Sequence, residues 1–201
     1  MLAGVGRARA DGLSADERAR LARGEVVKRE VTLDLDHGHY VGGVSYAIIQ
    51  AAPESVIAAL GDVAAYRSIL PLTLEARQVD RRGAETWIAL RHGGKLGSAA
   101  YTMRVRKESR TLIRFWLDPQ RPHDVDDAWG YFRVQPFGDG ATLLTYGAVV
   151  NLGFGITRLL FETRVRDLAL NTPALVRRYV EDRRGPVRVA QGRARTTSVR
   201  R

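Results

Sequence analysis

The sequence predicts an α+β protein in which one strand, two short helices and a run of antiparallel strands precede a long C-terminal helix. Three observations predict it. Apolar residues recur at helical spacing between residues 53 and 70, switch to a period of two after Pro71, and return to helical spacing from Ile156. Turn residues break up the middle of the chain at short intervals. The 201 residues suit one domain with tails, and they contain no cysteine and no run of 18 apolar residues. Disulfide scaffolds, zinc ribbons, iron–sulfur clusters, thiol nucleophiles and a membrane-spanning helix are thereby excluded, which leaves a soluble globular class.

Each element has a local reason. Ser14, with Glu17 three residues on, is a capping-box pair that starts a short helix, and Gly24 ends it. Residues 25–35 alternate loosely and read as an extended arm or first strand. A turn follows, and 44–50 (VSYAIIQ) reads as a buried strand. Pro53 suits the first turn of a helix carrying Val56, Ile57 and Leu60, which Gly61 closes. Asp62 caps a second short helix through Tyr66 and Ile69, stopped by Pro71. Period-two segments follow at 74–80, 85–91, 98–108, 112–117, 128–135 and 141–150, separated by turns and by a proline-flanked acidic loop at 118–127. In all, a sheet of six to seven strands is expected. The last helix carries the stripe Ile156, Leu159, Leu160, Val165, Leu168, Leu175 and Val176, with Pro173 as its kink.

The order of these elements is similar to that of the START-like superfamily of polyketide cyclases and lipid-transfer proteins. The residues carrying the likeness are APESVI at 52–57, AYRSILP at 65–71, WGYF at 129–132, GATLLTY at 140–146, and Pro173 followed by RRYVE at 177–181. The resemblance covers residues 25–182, leaving 1–24 as a leader with a short helix and 183–201 as an arginine-rich, disordered tail. It implies a helix-grip fold, a curved antiparallel sheet wrapped around the long helix with an apolar cavity between. It also implies a carrier or sensor that binds a lipid, quinone or polyketide-like molecule without catalysis. A cyclase or aromatase using the same cavity, and a protein-interaction module with a filled core, stay open as alternatives.

The side chains expected to line the cavity are Tyr101, Met103, Val105, Ile113, Phe115, Leu117, Trp129 and Leu160. Along 98–108, Tyr101, Met103 and Val105 share one face, and Arg104 and Arg106 share the other. Burying two unpartnered arginines would cost several kcal/mol each, so the apolar face points inward. By the same rule Ile113, Phe115 and Leu117 point inward and Trp116 outward, sheltered by the N-terminal arm or forming a contact surface. Arg104 is expected to be solvated, its loss costing no more than about 0.5 kcal/mol. On 128–135 the rule conflicts, because Trp129 and Tyr131 share a face with Arg133. The resemblance places Trp129 inward.

No cofactor, no metal and no catalytic residue is assigned. Asp34, Asp36, His37 and His39, and His123, Asp124, Asp126 and Asp127, have donor chemistry without a metal-motif spacing and read as turns. Ser45 between Gly43 and Ala47 lacks the second glycine of a nucleophile elbow. For a cyclase, the acid–base side chains available are His92, Tyr101, Arg114 and Tyr146. The net charge of +10 is concentrated at the end, since residues 183–201 hold seven arginines and no acid. The tail has no aromatic for stacking on bases, so nucleic acid is not the expected partner. Weak contact with an anionic membrane is the partner the tail would suit. The start as given implies a cytoplasmic protein, whereas Ala8-Arg9-Ala10 would suit the end of a truncated export signal.

Overall fold

A computed structural model describes residues 12–36, 38–94, 97–153 and 156–183, with backbone alone for 156–161. The leader before Gly12 and the tail beyond Arg183 lie outside the described residues, as do His37, Lys95 and the side chain of Leu160. The elements are α1 (Ala15–Ala22), β1 (Val27–Leu35), β2 (Gly38–Ile49), α2 (Pro53–Gly61), α3 (Tyr66–Ile69), β3 (Thr73–Arg82) and β4 (Glu85–Gly94). Then follow β5 (Gly97–Lys107), β6 (Leu112–Leu117), β7 (Asp127–Phe137), β8 (Ala141–Asn151), α4 (Ile156–Leu170) and α5 (Thr172–Asp182).

The strands form one antiparallel sheet of eight in the order β1-β2-β8-β7-β6-β5-β4-β3. It holds more strands than the six to seven expected, because the loose alternation of 25–35 belongs to a full edge strand. The two chain-order halves meet where β2 pairs with β8. The meander from β3 to β8 therefore returns to the strand that precedes the helices. Its concave face packs on α2, α3 and α5 through Ile49, Leu60, Ile69, Ile88, Met103, Phe132, Leu144 and Val176.

The long C-terminal helix is two segments. Pro173 enters the first turn of α5, where its missing N–H costs nothing, and the chain reorients at Asn171. Hydrogen bonds from Ala174 N to Asn171 O (3.0 Å) and from Asn171 N to Leu168 O (3.1 Å) hold the joint.

A second, smaller core lies on the convex face. There Leu13 and Leu21 of the N-terminal segment cover Val27, Tyr46, Ile48, Ala141 and Leu143. The Ser14–Glu17 capping box forms as expected: Glu17 N donates to Ser14 Oγ (3.1 Å) and Ser14 N to Glu17 Oε2 (2.7 Å). Arg29 Nε on β1 then donates to Glu17 Oε1 (2.7 Å), tying the helix to the sheet and holding the Glu17 carboxyl down to about 2. The hydrogen bond from Arg29 is the largest cause of that shift.

Two outward-facing expectations are corrected here. Trp116 is not sheltered by the N-terminal segment, which sits on β1, β2 and β8. Its cover is Arg104 and Arg106, whose guanidinium carbons stand 5.3 and 5.6 Å from its ring. Nor is Arg104 a solvated arginine. It lies between Trp87 (5.1 Å) and Trp116, its cross-strand partners, and pairs with Glu85 at 2.6 Å. The outer face is thus a cross-strand ladder of Trp87, Arg104, Trp116 and Trp129.

Candidate functional site

The concave face and the C-terminal helices do not close on one another everywhere. Between β4–β8, the segment 70–72 after α3, and the last turns of α4 they leave a cavity of about 810 Å³. Small-molecule sites run from about 300 to 1,000 Å³, so this volume is that of a ligand pocket and not of a packing defect. Its inner wall carries Leu90, Met103, Val105, Phe115, Phe132 and Val150, opposite Val165, Leu168 and Ala169 of α4. The exposed members of the wall, Leu72, Gly94, Gly97, Ser98, Asp124 and Arg164, mark its mouth.

Local chemistry explains how the wall is shaped. Phe115 can lie flat across β7 because residue 130 is glycine; a Cβ there would meet the ring 2.5 Å away. Phe115, Phe132 and Tyr146 then form a ring cluster, with centroids 4.8 to 6.0 Å apart. At the mouth Leu72 adopts φ 52°, a left-handed conformation that costs a side-chain-bearing residue about 1 kcal/mol. Its carbonyl is anchored by Gly93 N at 3.0 Å. Asp124 closes the far side of the mouth by accepting from Ala100 N at 2.8 Å, so the acidic loop serves as an edge clasp for β5.

Few polar side chains face inward. Burial pushes the Tyr146 phenol up to about 12 and raises Tyr101 as well, so both stay neutral donors. His92 is pushed down by burial, partly offset by its bond to Pro71. Its Nδ1 lies 2.9 Å from the Pro71 carbonyl and 3.1 Å from Thr73 Oγ1, while Thr73 Oγ1 itself donates to Leu70 O at 3.1 Å. A carbonyl cannot donate, so Nδ1 carries the proton and Nε2 is a bare lone pair. Nε2 is buried without a hydrogen-bond partner.

Of the residues expected to line the cavity, Tyr101, Met103, Val105 and Phe115 do so. Ile113 and Leu117 face the same side but are buried in the core around the cavity. Trp129 is corrected: it is 42% exposed on the convex face, whereas Phe132 and Val134 are buried inside. The arginine on its face decides the matter, since Arg133 stacks over Tyr131 at 5.8 Å in the outer layer. The α4 residues Val165, Leu168 and Ala169 and the 70–72 segment were missed as cavity-lining residues, because a helical stripe does not distinguish lining from core. Of the two His/Asp segments, His39 sits between Asp34 and Glu162 and His123 Nδ1 donates to Val125 O at 2.8 Å. Among the described residues no group of three metal-ligating side chains forms, and no helix is long and apolar enough to cross a membrane.

No family model and no curated protein matches the chain by sequence. Solved structures do match by shape. A STAR-related lipid transfer protein from Xanthomonas axonopodis superposes with a TM-score of 0.61 at 14% identity, covering 77% of this chain and 98% of that one. The fold is START-like. The Zhui aromatase/cyclase from Streptomyces sp. R1128 matches at 0.58 and 16% identity over 83% of this chain and 99% of that chain. A START superfamily protein from Mycobacterium smegmatis matches at 0.59 and 17% over 72% and 99%. The helix-grip arrangement of curved sheet and C-terminal helix in this START-like fold is the one the resemblance implies.

Proposed function

We propose that the chain is a non-catalytic carrier or sensor that holds a hydrophobic small molecule, a lipid, quinone or polyketide-like compound, in the cavity between the concave sheet and α4. The supporting observation is the cavity, large enough for a ligand and walled by Met103, Val105, Phe115, Phe132, Val165 and Leu168. A filled core, which a protein-interaction module would have, does not leave about 810 Å³ of open space. Solved structures of similar shape include a STAR-related lipid transfer protein and an aromatase/cyclase, which supports a cavity built for a small molecule.

Among the described residues the inward titratable groups, Tyr66, His92, Tyr101 and Tyr146, include no carboxylate; the wall's acid, Asp124, is at the mouth and bonded to the backbone. A cyclase reading of the same cavity is favoured by one observation, the deprotonated His92 Nε2, which has the chemistry of a general base. Fluorescence titration with 1-anilinonaphthalene-8-sulfonate tests the binding reading. Saturable one-to-one binding is expected, weakened in Val105→Trp, whose indole would project into the cavity beside Phe115 and obstruct it. Equal binding by both proteins would place the dye elsewhere and remove the support for this cavity. Turnover of a polyketide-like substrate, abolished by His92→Ala, would replace the carrier reading with the enzyme.

A further inference from the structure

The cavity wall sets a buried acceptor that has no partner beside a tyrosine hydroxyl. His92 on β4 and Tyr101 on β5 are neighbours across the strand pair, their rings stacked with centroids 5.5 Å apart and planes 14° apart. Nδ1–H of His92 is committed to Pro71 O, so the ring presents Nε2 as an acceptor only. A buried acceptor left unmet is costly, and its persistence calls for an explanation. Tyr101 does not supply the missing donor. Near-parallel stacking keeps its hydroxyl out of the imidazole plane, where the Nε2 lone pair lies. The Tyr101 hydroxyl itself forms no hydrogen bond among the described residues. Both side chains belong to the cavity wall, which is otherwise largely hydrocarbon and aromatic.

We propose that His92 and Tyr101 form a polar anchor in this cavity and select an apolar ligand bearing a hydroxyl group, an alcohol or a phenol. The ligand O–H donates to His92 Nε2 while its oxygen accepts from the Tyr101 hydroxyl. A hydroxyl is the group that answers a lone acceptor and a lone donor together; a ketone or an ether meets only the donor. Nε2 is shielded from water, so the ligand reaches it by a side-chain-scale movement of the wall. The aromatic cluster of Phe115, Phe132 and Tyr146 suits the hydrocarbon part of a ring-containing alcohol or phenol. This inference rests on the cavity being a ligand site.

The test compares 2-naphthol with 2-methoxynaphthalene, which differ in the donor, by calorimetry on the full chain. The wild type is expected to bind the naphthol about tenfold more tightly, the ratio one hydrogen bond supplies. His92→Leu should reduce that preference to about twofold or less, leaving the ether's affinity within a factor of three, whereas Tyr101→Phe should weaken both probes by a similar factor and leave the preference in place. As a readout that needs no substitution, the ¹⁵N resonance of wild-type His92 Nε2 should be that of an unprotonated nitrogen. It should shift on adding the naphthol and stay in place on adding the ether. Equal binding of the two probes with an unmoved resonance overturns the anchor and leaves the cavity reading standing. Binding of neither probe overturns the cavity reading and the anchor with it.

Discussion

His92 has a cost that should be visible without any ligand. Its folded-state pKa is depressed, chiefly by burial, relative to about 6.5 in the unfolded chain. The unfolded chain therefore binds the proton more readily, and stability present above about pH 6.5 declines as the pH falls below it. Thermal melts between pH 7.5 and 5 should show this decline, and His92→Leu should flatten it; an unchanged slope would mean that His92 is not held neutral. Gly130 offers a second test. An alanine there would drive its methyl into the Phe115 ring and against Gly147 O, 2.2 Å away, so Gly130→Ala should cost about 1–3 kcal/mol in denaturant unfolding. Arg104, wedged between two indoles and paired with Glu85, should cost about 1–2 kcal/mol on change to alanine, not the fraction expected of a solvated side chain.

Helix α1 is held to the sheet by an ion pair and a few apolar contacts, so its attachment can be titrated separately. Glu17 is depressed to about 2, first by the Arg29 hydrogen bond. Its contribution is fully present above the ordinary carboxylate value of 4.5 and is lost as the pH falls towards 2. Glu17→Gln should cost about 1–2 kcal/mol and expose the Leu21–Ile48 contact surface. Hydrogen exchange of the α1 amides would show it; unchanged protection would mean that Leu13 and Leu21 alone hold the helix. The elements most legible in the sequence were those whose signals are local. The capping box, Pro53 and the alternation of β5 and β6 rest on neighbouring residues and form as read. Asp62 caps not α3 itself but the 3-10 turn Val63–Ala65 that leads into it, accepting from Ala64 N at 3.0 Å. Alternation left strand β7 unsettled because Trp129 and Tyr131 share a face with Arg133, and the resemblance that placed Trp129 inward did not hold at this position. The desolvation rule that oriented β5 also orients β7, with Trp129 outside and Phe132 inside. Tyr131 completes that face by lying over Gly147, where a Cβ would come within 2.5 Å of its ring.

For the molecule as a whole, the fold was legible and the cavity was not. Periodicity states which face of a strand is apolar, but not whether another side chain or open space meets it. Ile113 and Phe115 share a face of β6; the first is core and the second is wall. What separates them is where α4 ends and α5 begins at Asn171, a tertiary placement that no local pattern encodes. The central claim is that a hydrophobic molecule occupies the space this placement leaves. Native mass spectrometry of the protein purified from its source cells, followed by organic extraction, tests that most directly. The account predicts a complex heavier than the 22.3 kDa chain, reduced to the bare chain when the apolar compound is extracted and less abundant for Val105→Trp. Bare wild-type chain under gentle conditions, with nothing apolar in the extract and no uptake of added 2-naphthol, would contradict it.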